Sequence, residues 1–100
     1  MRFDKEVFST NSSIINGELT IAGITAQTLT REFGSPLFVL DESDFRERAK
    51  SWKSALSKHF DGNAGEVYYA AKSFVCIEVA KMVAESGIGI DVCSGGELAV

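Results

Sequence analysis

Histidine, cysteine, tryptophan and proline are all scarce in these 100 residues: His59, Cys76 and Cys93, Trp52 and Pro36 are the full set. One histidine and two cysteines 17 positions apart supply too few ligands for a zinc site. The two thiols are expected to be reduced and mostly buried, as in a cytoplasmic protein. Basic residues are also few. Ten against fourteen acids give a formal charge of −4, a poor basis for holding a phosphate backbone, and residues 61–100 carry only Lys72 and Lys81 against six acids. Nucleic acid is therefore not an expected partner.

Long apolar runs are missing too. Pro36–Leu40 and Val67–Ala71 are among the longest, at five residues each, where a membrane span needs about 20. The opening MRFDKEVFSTNSS lacks the apolar centre of a secretory signal. What remains is ordinary for a soluble globular chain: 45% apolar and 24% charged residues. The length suffices for one small domain and is short for two.

Residues 1–12 show no period and are left as an arm. Ile14-Ile15, Asn16-Gly17 and Glu18–Ile21 together predict a two-residue hairpin, because both turn positions need positive φ. Thr25 is placed to cap a short helix through Ala26, Leu29 and Phe33, with Gly34 as its stop and Pro36 preventing resumption. Leu37–Leu40 reads as a buried strand. Asp41, Ser43 and Asp44 are all good cap types ahead of a helix from Phe45 to Phe60. Phe45, Ala49, Trp52, Leu56 and Phe60 lie on one face of that helix, so Trp52 is expected in the core. His59 falls at the helix end, near the negative pole of the dipole, with no catalytic role. The turn Asp61-Gly62-Asn63 follows.

Glu66–Ala71 reads as a strand covered on both faces. A helix over about 75–86 carries Val75, Val79, Met82 and Val83 on one side, with Gly87 as its stop. Ile88–Cys93 is a further strand. Ser94-Gly95-Gly96-Glu97 fits a capping box that opens another helix, with Val100 in its first turn. Alternating strands and helices imply a parallel α/β sheet. The chain reads as the front of a larger protein, inactive on its own.

Lys72 is the sharpest chemical feature. It is the only charge in VYYAAKSFVCI and falls where a parallel strand runs out, the edge where ligands bind in barrels and open α/β sheets. A lysine desolvated there becomes a usable amine nucleophile, as Schiff-base chemistry requires. The alternative is a strand-end lysine reaching into water. Asp91 has the same placement one strand later, suited either to a cationic partner or to the amides of the following turn. Glu97 divides between closing the capping box and facing a ligand.

At these residues a family resemblance emerges. Tyr69-Ala70-Ala71-Lys72-Ser73 resembles the Tyr-Ala-x-Lys segment that carries the cofactor lysine in alanine-racemase-like pyridoxal-phosphate enzymes. Gly34-Ser35-Pro36-Leu37-Phe38-Val39-Leu40-Asp41 resembles the Gly-Thr-Pro-Leu-Tyr-Val-Tyr-Asp lead-in of diaminopimelate decarboxylases. Asp91-Val92-Cys93-Ser94-Gly95-Gly96-Glu97-Leu98 is similar to their Asp-Val-x-Ser-Gly-Gly-Glu-Leu. The segment from Asn16 to Gly23 fits their N-terminal strands, so the likeness spans about residues 16–100. Ser35 stands where Thr is usual and Ser73 where Ala is common.

The resemblance implies the first units of a (β/α)8 barrel over 34–100, preceded over 1–33 by strands of a separate β-domain. It implies that Lys72 binds pyridoxal 5'-phosphate, that Asp91 and Glu97 face the cofactor, and that the whole protein is a homodimer. Its reaction would be decarboxylation of meso-diaminopimelate to L-lysine. The phosphate-binding loop, the specificity residues and an acid from the partner subunit would then lie beyond Val100. Alternatives are a decarboxylase of arginine, ornithine or another diamino acid, a non-catalytic cofactor-binding protein on the same barrel, or a small α/β interaction module.

Overall fold

The computed structural model describes residues 7–61 and 65–100, so the first six residues of the arm and the Gly62-Asn63 part of the turn lie outside the described residues. The chain divides into two compact units, the first ending at Phe45 and the second running from Arg46 to Val100. Length alone suggested one domain. The division follows from local bonding, because the N-terminal strands complete their ladder among themselves.

In the first unit, β1 (Ser12–Ile15), β2 (Glu18–Ile21) and β3 (Ile24–Thr25) form an antiparallel meander. Ile15 pairs with Glu18 across Asn16-Gly17, whose φ values of 52° and 82° are those of the expected tight hairpin turn. A second turn of the same kind joins β2 to β3. It places Ala22 at φ 49° and Gly23 at 82°, a conformation that an alanine does not advertise in sequence. Helix α1 (Ala26–Phe33) begins as expected: Thr25 accepts the Thr28 amide at 3.1 Å, and Gly34, at φ 89°, donates its amide to the Thr30 carbonyl. The Glu18 carboxylate accepts the Gln27 amide in the same first turn.

The segment at 9–11 is tied to the residues that open helix α2 (Glu42–His59). Asp41 Oδ1 accepts the Asp44 amide at 3.2 Å, while Oδ2 accepts from Ser9 at 2.9 Å and from Asn11 at 3.0 Å. Asp44 in turn accepts both the amide and the hydroxyl of Thr10. Partial burial works against the Asp41 charge, but the Asp44 amide, Ser9 and Asn11 outweigh it and hold the carboxyl below its ordinary value.

Residues 37–40 do not form the expected strand. They join neither sheet of the described residues, and Phe38 is 98% exposed. An apolar run becomes a strand only where another strand offers backbone partners, and among the described residues none pairs with it.

In the second unit, β4 (Tyr68–Ala70) and β5 (Gly89–Asp91) pair in parallel, with α3 (Ile77–Glu85) between them in sequence and α4 (Gly95–Ala99) after. This is the α/β alternation expected from the pattern, although both strands are shorter than the apolar runs that announced them. Val79, Met82 and Val83 on α3 are buried, as their spacing required. Full burial of each such side chain stabilises by about 1.5–3 kcal/mol. On α2, Ala49 is buried but Trp52 is 68% exposed, against the expectation that it sits in the core. A two-stranded sheet is too narrow to cover the whole stripe of an 18-residue helix. Phe60, at the end of the same stripe, is exposed too. So is Tyr68 on β4, a strand expected to be covered on both faces but with only one neighbouring strand among the described residues. The α2–α3 contact is completed at the surface by Arg46 and Glu85, paired at 2.6 Å, and by Lys53, which donates to the Ser86 carbonyl at the end of α3. Among the described residues no helix is long and apolar enough to cross a membrane.

Candidate functional site

The parallel pair defines two edges. At the edge where the strands begin, Lys53, Leu56, Phe60, Glu66, Val67 and Ile88 help line a hollow of about 380 Å³. Neither Lys72 nor Asp91 reaches it, since both belong to the opposite edge, where the strands end. In this register Tyr68 opposes Gly89, Tyr69 opposes Ile90, and Ala70 opposes Asp91. Asp91 therefore closes β5 on the rung where Ala70 closes β4, and the chain after Ala70 passes directly into the turn that carries Lys72.

That turn is a single 3-10 turn, Ala71–Ser73, leading to extended backbone at Phe74. Ala71 is 1% exposed and anchors the turn, while Lys72 projects from it and is exposed. The desolvation expected at Lys72 is thus not supplied by the described residues. Two strands leave the edge open, and among the described residues no layer stands over the amine.

Tyr69 and Ser73 hold the turn from either side. The Tyr69 hydroxyl donates to the Phe74 carbonyl at 2.6 Å, and Ser73 Oγ lies 2.8 Å from the Ala70 carbonyl and 3.1 Å from the Tyr69 oxygen. Neither residue stood out in the sequence as functional. No short-range preference announces this pair of bonds, because Tyr69 meets the Phe74 carbonyl and the Ser73 hydroxyl only once the strand has passed into the turn.

Beyond β5, Ser94 accepts the Glu97 amide at 3.2 Å, and Glu97 Oε2 accepts the Cys93 amide at 2.7 Å. The expected capping box is present in a shifted form, reaching one residue before the cap. Of the two roles open to Glu97, the structure shows the cap. Asp91 is exposed at its rung. The two cysteines are free, as expected, but not buried: Cys76 is half-buried and Cys93 exposed, since both fall on loops at the open edge.

At the opposite edge, where the strands begin, Tyr68 lies across Gly89, where a Cβ would come within about 2.5 Å of the ring. Its hydroxyl bonds Glu66, and this bond, with the charge of the same carboxylate, raises the phenol above its ordinary value.

The turn after β4 and the end of β5 thus present an exposed amine and an exposed carboxylate at one edge of the sheet, groups able to condense with an aldehyde and to neutralise a cation.

Residues 42–100 match the family model described as pyridoxal-dependent decarboxylase, pyridoxal binding domain. Diaminopimelate decarboxylases of Mycobacterium bovis and Mycobacterium tuberculosis are 49% identical to the chain over 84 residues. The enzyme of that name from Synechocystis is 42% identical over 83 residues. These matches take in 84% or 83% of this chain but only 18% of each relative, so the chain spans about a fifth of the length of the curated relatives it matches.

Proposed function

The chain belongs to the pyridoxal-dependent decarboxylases, and on that premise we propose that it supplies the cofactor lysine of a diaminopimelate decarboxylase. The observation that carries this reading is the edge shared by Lys72 and Asp91 within the segment that matches the pyridoxal binding domain. The whole protein would convert meso-diaminopimelate to L-lysine and carbon dioxide, acting on a small amino acid as a cytoplasmic homodimer. Residues 34–100 would begin a (β/α)8 barrel and residues 1–33 contribute strands to a β-domain. In that setting residues 37–40 gain the strand partners they lack here.

The chemistry divides among named groups. Lys72 would hold the cofactor through its amine and could carry a proton at that nitrogen. Asp91 would balance a positive charge on the cofactor ring or on the substrate ammonium. Glu97 acts mainly by fixing the Cys93 amide, which sets the path of the chain just after Asp91. Once bound, pyridoxal phosphate serves as the electron sink for the bond that breaks. Covering the open edge is the task of the remainder of the barrel, and exclusion of water there supplies the desolvation that Lys72 needs.

The test is to add pyridoxal phosphate to the full-length protein, reduce with borohydride and map the label. A label on Lys72, with turnover of meso-diaminopimelate exceeding that of ornithine or arginine, supports the reading. A label on another lysine removes it.

A further inference from the structure

We propose that Tyr69 and Ser73 are positioning residues that set the direction in which Lys72 is presented. The proposal rests on the assignment of Lys72 as the cofactor lysine. A 3-10 turn of three residues has poor hydrogen-bond geometry of its own and holds only weakly. Here it is braced at both ends. Ser73 Oγ takes hold of the Ala70 carbonyl, two residues before the lysine, at 2.8 Å. Tyr69 donates to the Phe74 carbonyl, two residues after it, at 2.6 Å. The two side chains are themselves joined at 3.1 Å, so the brace is one connected network around Lys72. The Tyr69 proton goes to Phe74, and the single Ser73 proton is shared between Ala70 and the Tyr69 oxygen.

Lys72 is exposed and Ala71, beside it, is buried. The backbone is therefore held by Ala71 packing and by the Tyr69–Ser73 network, while the long side chain is held by neither. A flexible lysine on a fraying turn samples a wide volume. The same lysine on a braced turn sweeps a narrower arc, which raises its effective concentration at a fixed aldehyde.

The experiment uses full-length protein carrying Ser73→Ala, Tyr69→Phe or Ser73→Thr. Two readouts are taken: the rate at which borohydride traps pyridoxal phosphate on Lys72, and hydrogen exchange of the amides of residues 71–74 in cofactor-free protein. Loss of one such bond should slow trapping and speed exchange by about three- to tenfold in the first two variants. Ser73→Thr keeps the hydroxyl and should restore both. Combining the first two changes should give less than the product of their effects, because they belong to one network. Trapping at the parental rate in Ser73→Ala and Tyr69→Phe overturns the proposal, even if exchange rises, since the brace would then serve the turn alone. A label away from Lys72 in the unsubstituted protein overturns the lysine assignment first, and this proposal with it.

Discussion

Ala70 and Asp91 oppose one another on the last rung of the β4–β5 ladder, so the Lys72 turn and the Asp91 carboxylate leave the sheet from the same edge. Replacing Asp91 by Asn keeps the shape and removes the charge. Loss of a preorganised electrostatic partner typically lowers kcat by about 10²-fold or more. The expected result in the full-length enzyme is a fall of that size in kcat with a much smaller change in KM. Glu97→Gln, which weakens a bond to one backbone amide, should cost under about tenfold. Steady-state kinetics of the two variants check the contrast.

The Asp44 amide, Ser9 and Asn11 favour the charged form of the Asp41 carboxylate, and its depressed pKa fixes the sign of a pH effect. The stability it contributes is fully present above the unfolded value near 3.8 and is lost as pH falls through the lower folded value. At pH 7, Asp41→Ala should lower protection of the Asp44 amide by about fivefold, the loss of one helix cap. Hydrogen exchange should show parent and variant converging under strong acid. A difference that persists there would rule out the charged cap as its source.

Ala22 holds a left-handed turn position at φ 49°. Ala22→Gly relieves that conformation and should stabilise the meander by about 1 kcal/mol. Gly23→Ala imposes the same strain at φ 82° and should destabilise it by a similar amount. Opposite shifts in local amide exchange across β2 and β3 are the expected readout.

The raised phenol of Tyr68 has the Glu66 bond as its first cause and the Glu66 charge as its second. Glu66→Gln should bring the Tyr68 titration back down toward its ordinary range near 10. A difference ultraviolet titration of the parent and the Glu66→Gln and Tyr68→Phe proteins isolates this phenol. Gly89→Ala should act in the same direction by pushing the ring off its place beside the strand.

The local instructions were legible in the residues themselves. Asn16-Gly17, Thr25 with Gly34, and Ser94 with Glu97 each state a turn or a cap through a short-range preference of backbone or side chain, and each formed where expected. The spacing of Val79, Met82 and Val83 likewise identified the buried face of α3, because helix period and burial describe one geometric fact. The placement of Lys72 and Asp91 at strand ends followed from the same alternating pattern.

Tertiary structure decided whatever depends on a neighbour. Leu37–Leu40 carries the composition of a strand but pairs with nothing among the described residues. Trp52 lies on an apolar stripe yet faces solvent, and Lys72 stands exposed on its edge. The bonds of Tyr69 and Ser73 with the backbone around Lys72 also emerged only in three dimensions. A residue's propensity is written in its own atoms, whereas burial and hydrogen-bond partnership are properties of what packs against it.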